Sequence, residues 1–283
     1  MRITCFTILL VLVVLCAASV QAQEINWSSV NACGGLTSNG AYNLSSSVGQ
    51  VAAGFTYCTE KLHWVGFWAG DMPIPAVRQS VKDVKSLPDG AYVSIPAKIA
   101  TSGFDPAARL EDRFSGFFYI EEPDRYSGIR ISAPNWPIAG LSRGSVVNVI
   151  GTMDTTSSGE RQLVASVVTI TDTEKPLGPL GMNNRSLGGS DLGYPPLGQC
   201  GVTSGTGLNN IGLLVKSWGM ITYKDPSGNY ILITDGTGES IKVDTTGLSG
   251  VPSKGYLSVI GISTLYEDSP LILPRSNTDI EPR

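Results

Sequence analysis

Residues 230–244 read YILITDGTGESIKVD, and residues 118–132 read FYIEEPDRYSGIRIS. Each stretch is a run of β-favouring residues, a polar turn, and a second such run. Strand side chains point alternately to opposite faces, so each stretch predicts a β-hairpin with one buried face. Asp-Gly and Thr-Gly in one turn, and Pro-Asp in the other, are residues that turns favour. The hairpin therefore recurs at a distance of about a hundred residues.

Working outward, the flanking runs recur as well. AYVSIPAKIAT (91–101) matches LLVKSWGMITY (213–223), each alternating and then bending near Pro or Gly. GSVVNVIGTM (144–153) matches GYLSVIGIST (255–264), and RQLVASVVTIT (161–171) stands where PLILPRSNTDI (270–280) stands later. Ile129 to Gly151 is 22 positions and Ile241 to Gly261 is 20, so order and spacing agree. A duplicated unit follows from such self-similarity. Each copy holds five short runs and no amphipathic helix, which predicts an all-β barrel or sandwich. Gly151 and Gly261 are expected to let the fourth strand bend or accept a bulge.

The long bent first strand, the hairpin and the V-x-V-x-G strand resemble the OB-fold, a five-stranded Greek-key barrel. The resemblance is closest to OB-like domains of secreted bacterial proteins. The residues that carry it are Leu87-Pro88-Asp89-Gly90, Tyr119-Ile120-Glu121 and Gly128-Ile129-Arg130-Ile131. The second copy matches at Tyr230-Ile231 and Ile233-Thr234-Asp235-Gly236 but opens with Gly212-Leu213-Leu214-Val215 instead of LPDG. The expected fold is two OB-like barrels, at 81–173 and 211–283, plus a small N-terminal strand-rich module.

That module, 23–72, is rich in Gly, Ser, Asn and Thr. Its Gly34-Gly35, Tyr42, Leu44, Gly49-Gln50 and Gly66-Phe67-Trp68 resemble a GG-x-Y-x-L…GQ…GFW segment of exported bacterial proteins. The resemblance implies an exported or cell-surface setting and no chemistry. Residues 73–80 (PIPAVRQS) read as a linker. Residues 174–210, dense in Gly, Pro and Asn, read as an ordered connector in which Leu177, Leu180, Leu187, Leu192, Tyr194 and Leu197 pack on both neighbours.

The chain opens with MRITCFTILLVLVVLCAASVQA, a basic residue, a short apolar run and small residues at Val20 and Ala22. This is the pattern of a signal peptide, residues 1–22, cleaved after Ala22. Leu15 before Cys16 departs from a lipobox. No other run is long enough to span a bilayer. The expected location is secreted or cell-surface, periplasmic or extracellular. Cys33, Cys58 and Cys200 then remain; Cys33 and Cys58 are expected to pair, leaving Cys200 as a buried or partly protected thiol.

The 283 residues carry a formal charge of −4. Segments 81–172 and 211–283 hold 9 basic against 11 acidic and 6 basic against 8 acidic groups. Nucleic-acid modules usually carry a basic excess, so charge does not favour that partner. Chemistry is equally sparse. His63 stands without a histidine partner, no CxxC occurs, and Glu111-Asp112 and Glu121-Glu122 are adjacent rather than converging. DGTGE (235–239) lacks the spacing of a calcium loop. The reading is a non-catalytic protein without cofactor or metal.

Binding is the remaining class. OB-folds hold oligonucleotides or oligosaccharides on the face of strands two and three. The expected face is Tyr119, Tyr126, Arg130 and Trp136 in the first barrel, and Tyr223, Lys224, Tyr230 and Lys242 in the second. A binding or scaffold protein with an extracellular or cell-surface partner, a single-stranded nucleic-acid binder and a carbohydrate-binding module all remain open. Aromatic stacking serves the last two equally.

Overall fold

The computed structural model of the chain describes residues 75–194 and 197–283, together with the backbone of four strands nearer the N-terminus. Those strands form two antiparallel hairpins, β1 (Cys33–Ser38) with β2 (Asn43–Val48) and β3 (Gly54–Cys58) with β4 (Lys61–Val65). The expected signal peptide, the GQ turn, the GFW end, and the side chains of Cys33, Cys58 and His63 lie outside the described residues. The chain divides after Met72, and Pro73–Arg283 forms one compact unit that holds both barrels.

The first barrel is built from β5 (Ala76–Val77), α1 (Val81–Lys85), β6 (Tyr92–Ala100), the small pair β7 (Phe104–Asp105) and β8 (Leu110–Glu111), β9 (Phe117–Glu121), β10 (Gly128–Ser132), β11 (Ser145–Thr155) and β12 (Arg161–Thr173). The order around it is β6-β9-β10-β12-β11, and β11 returns to pair with β6. The second barrel contains β13 (Leu180–Gly181), β14 (Leu214–Lys224), β15 (Tyr230–Thr234), β16 (Ser240–Asp244), β17 (Tyr256–Tyr266), β18 (Ser269–Leu273) and β19 (Ile280–Pro282). Its order is β14-β15-β16-β18-β17, closed by β17 on β14. In both, strands three and five are parallel (Arg130↔Gln162, Lys242↔Leu271) and the other barrel pairs are antiparallel. The two units thus share the 1-2-3-5-4 Greek-key closure of an OB barrel.

Alternation builds each interior. In β15 and β16 the inward residues are Ile231, Ile233, Ile241 and Val243, all fully buried. Phe118, Ile120, Ile129 and Ile131 do the same in the first barrel. Each such side chain contributes roughly 1.5–3 kcal/mol on leaving water. Gly151 sits at a register shift between β11 and β12, where a Cβ would lie 2.3 Å from the Val164 carbonyl oxygen. Gly261 admits Ile272 and Leu273 at 2.6 Å in the same way. These two glycines are required by close approach of the neighbouring strand.

The duplicated unit is longer at its start than the sequence suggests. β5 lies parallel to β6 (Ala76↔Val93), and β13 lies parallel to β14 (Leu180↔Val215). Each lead strand is followed by a plug. In the first copy this is α1, whose N-cap Ser80 accepts a hydrogen bond from the Lys82 N–H and whose Val81 and Val84 enter the core. In the second copy it is a 3-10 turn, Asn184–Ser186, followed by the buried Leu187. Part of the expected 73–80 linker and the front of the 174–210 connector therefore belong to the barrels. α1 is too short to show helical periodicity, which is why the sequence reads as helix-free.

The rest of the connector is ordered by backbone contact. A Cβ on Gly189 would lie 2.1 Å from the Leu208 carbonyl oxygen, and one on Gly198 would lie 1.9 Å from that of Leu192. Gln199 Nε2 donates to the Gly159 carbonyl at 3.0 Å, and its Oε1 accepts from the Arg161 N–H at 2.8 Å, so the segment is pinned to the first barrel. Asn210 Oδ1 accepts from the Ser263 hydroxyl at 2.8 Å on the second. Tyr194 and Leu197 are exposed rather than packed, because glycines and amides do the packing in their place. Cys200 is a free and exposed thiol, not a protected one.

Candidate functional site

The register of each hairpin decides which residues are equivalent. Glu121 pairs with Gly128 at the end of the first hairpin, and Thr234 pairs with Ser240 in the second. Six residues turn the first hairpin and five turn the second. Aligning the strands by their pairs makes Phe117 the counterpart of Tyr230, Tyr119 of Leu232 and Arg130 of Lys242. The likeness of Tyr119-Ile120 to Tyr230-Ile231 is thus not a structural equivalence. The mismatch is two residues, which keeps a side chain on the same face but moves it one step along the strand.

In the first barrel the outer hairpin face is buried. All of β9 from Phe118 to Glu121 is buried, so alternation gives way to two buried faces. Tyr119 is fully buried and packs with Phe114, Phe117 and the second barrel's Leu214, Ile260, Ile262 and Leu273. It cannot meet a ligand, which corrects its place in the expected face. Its hydroxyl donates to Glu160 Oε2 at 3.1 Å. Arg130 lies 3.6 Å from the Phe117 ring centroid and 3.8 Å from Glu160, so its charge is spent within the seam between the barrels.

The seam is polar as well as apolar. Glu121 Oε1 accepts the Leu214 N–H, and Arg125 donates to Glu121 Oε2 at 3.1 Å and to the Leu214 carbonyl at 3.0 Å. Burial pushes the Glu121 carboxyl up to about 7, although Leu214 N–H and Arg125 favour its charge. Lys85 Nζ donates to the carbonyls of Gly128 at 3.1 Å and Ile211 at 2.8 Å. Burial lowers its pKa to about 7, with Glu160 acting the other way. Burial also raises Glu160. Gly128 and Gly212 touch here; a Cβ on Gly128 would lie 2.3 Å from the Gly212 carbonyl oxygen. Arg113 Nε donates to the Pro274 carbonyl at 2.6 Å, and Arg275 Nη1 donates to that of Thr101 at 2.8 Å.

The equivalent face of the second barrel is open. A groove of about 470 Å³ is lined by Asp225, Asn229, Tyr230, Lys242, Asp244 and Tyr266, with Ser227, Thr246 and Leu271. Lys242 Nζ lies 4.3 Å from the Tyr230 ring centroid and 3.4 Å from that of Tyr266, held between two aromatic faces. Tyr223, 43% exposed, continues the row at 5.7 Å from Tyr230. The carboxylates are fixed by their neighbours. Asp225 Oδ2 accepts the Asn229 N–H at 3.1 Å; Asp244 Oδ1 accepts the Thr246 N–H at 2.8 Å and pairs with Arg113 at 3.4 Å.

The structure therefore brings together Tyr223, Tyr230 and Lys242 of the expected residues. Lys224 is occupied elsewhere, donating to the Val251 carbonyl at 2.6 Å. Tyr126 is exposed at the first hairpin's turn, next to the seam residue Arg125, with Lys82 Nζ 5.5 Å from its ring centroid. Trp136 packs against the first core and is not on the hairpin face, because it follows β10 in a loop folded over the barrel. Sequence reasoning missed Tyr266, Asp225 and Asp244. The signal for Asp225 and Asp244 was their position at the open end of the second hairpin, where strand one enters and strand three leaves. Tyr266, beside the β17–β18 turn, becomes relevant only once the barrel closes. Trp218 and Tyr256 form another exposed pair at 6.5 Å and do not line the groove. No protein-family model, curated protein or solved structure matches this chain.

Proposed function

We propose that the chain is an exported, non-catalytic binding protein in which the second barrel carries the ligand face and the first barrel is its rigid mount. The observation that carries this reading is the asymmetry of two equivalent hairpins. One outer face is buried under a neighbouring barrel, and the other presents ordered tyrosines, carboxylates and a lysine around a groove. Export is supported by the N-terminal sequence, and binding by a groove whose tyrosines stand around Lys242 and whose carboxylates accept neighbouring backbone N–H groups. The volume of the groove lies in the range of small-molecule sites, and most of its lining residues are polar.

Amide chemical-shift mapping tests the reading. Glycans, single-stranded DNA and basic peptides are titrated into the labelled protein. A binder is expected to move Tyr230, Lys242 and Tyr266 while leaving Phe117 and Tyr119 unmoved. Perturbations confined to the first barrel would overturn it.

A further inference from the structure

The lining of the open groove narrows its ligand to one chemical class. We infer that the second barrel binds an uncharged oligosaccharide that runs along the groove and over Tyr266 onto the first barrel's β11–β12 turn. This rests on the reading of the second barrel as the ligand-bearing one.

Three comparisons among residues carry the inference. First, charge: Asp225 and Asp244 line the groove against the single cation Lys242. Beyond Tyr266 a second hollow, about 600 Å³, adds Glu267 and Asp268 with Ser157, Ser158 and Gly159. A polyanion would meet four carboxylates, one of them paired with Arg113, against one ammonium in the lining, the reverse of what a phosphate chain requires. Second, the ring faces: Lys242 already stands against both Tyr230 and Tyr266. A cationic group brought to these rings would meet the like charge of that ammonium, so the acidic lining does not translate into a cation cage. Third, the equivalent face in the first barrel shows what this hairpin looks like when it binds protein. There the positions carry Phe117, Tyr119 and Glu121, with Phe114 added, and the surface is apolar enough to bury Leu214 and Ile262. The second barrel has Tyr230, Leu232 and Thr234 instead, with Asp244 where the first has Ser132.

What remains is a neutral ligand rich in hydroxyl groups and bearing flat C–H faces. Carboxylates and the Asn229 amide receive or share hydroxyl hydrogens, and exposed tyrosine rings receive pyranose faces. Tyr266 lines both hollows. A ligand of several sugar units can therefore touch Asp225 at one end and Ser158 at the other, and affinity should grow with chain length.

The test is calorimetric titration of the full secreted protein with neutral hexasaccharides (β-1,4-glucan, β-1,3-glucan, chitin, xylan and mannan types), with oligo(dT) and hexalysine as parallel probes. At least one hexasaccharide is expected to bind, with affinity unchanged between low and high salt and several-fold above that of its disaccharide. Tyr266→Ala and Asp225→Ala should each weaken it by ~10-fold, the effect of losing one well-packed contact. Tyr126→Ala should leave it unchanged, and circular dichroism checks that every variant folds. If oligo(dT) or hexalysine binds and Tyr266→Ala abolishes that binding while every sugar is silent, the groove remains the ligand face and the sugar assignment falls. Silence of every probe overturns both.

Discussion

Arg130 and Lys242 occupy the same position in two copies of one hairpin, and each sits on an aromatic ring that is also equivalent, Phe117 or Tyr230. The first pair is sealed between barrels, with Glu160 beside it. The second pair is at the surface, joined by Tyr266. The same arrangement serves cohesion in one barrel and stands exposed in the other.

Gly212→Val is expected to loosen both barrels together. The residue holds φ +91°, and any Cβ would approach the Gly128 carbonyl oxygen at 2.5 Å. A cost of about 3 kcal/mol is expected for a strained and crowded site. Differential scanning calorimetry should show one transition moved down. Two transitions, with one unmoved, would show that the barrels unfold independently.

Tyr119→Phe removes the hydroxyl that serves Glu160 and leaves a buried carboxylate short of a donor. The expected loss is about 1–3 kcal/mol, measured by urea unfolding. Tyr230→Phe, on the open face, should cost less than about 0.5 kcal/mol. Equal effects at the two positions would contradict the difference in burial.

Stability should vary with pH in a defined way. Glu121 has its folded pKa raised from 4.5 to about 7, so the folded state holds that proton more tightly and its contribution falls as pH climbs through this window. Lys85 has its folded pKa lowered from 10.5 to about 7, so the unfolded chain holds the proton more tightly and stability recovers between 7 and 10.5. Arg125 and Arg275 face Glu121, and Glu160 and Arg161 face Lys85. Melting temperatures should pass through a shallow minimum near neutrality. Glu121→Gln should flatten the acid side and Lys85→Met the alkaline side; unaltered profiles would refute the assignment.

Cys200 should react with iodoacetamide in the native protein at the rate of a free thiol, since it is exposed. Peptide mass mapping reads the site. Modification only after denaturation would mean the connector covers it.

Much of the architecture was legible because period-two alternation survives in β15, β16 and the inward half of β9. The duplicated order and the two crowded glycines, Gly151 and Gly261, were readable for the same reason. The candidate face was only half legible. The shared Tyr-Ile dipeptide aligns Tyr119 with Tyr230, two residues out of the register that the strand pairs define, and a linear comparison cannot see which pair closes a hairpin. Burial of Tyr119 depends on Leu214 and Ile262, which lie 95 and 143 residues away, and no local pattern announces a second buried face. Short plugs such as Val81–Lys85 carry too few turns to reveal a period.

The burial of Tyr119 has a consequence for valency. Tandem copies of a recognition domain commonly gain avidity by chelating one ligand at two points, with the second grip working at high effective concentration. On the proposed reading the first barrel has no free grip to offer, so the molecule would hold its ligand at one point, on a stiff base. Strong attachment to a repetitive target would have to come from many such molecules arrayed side by side.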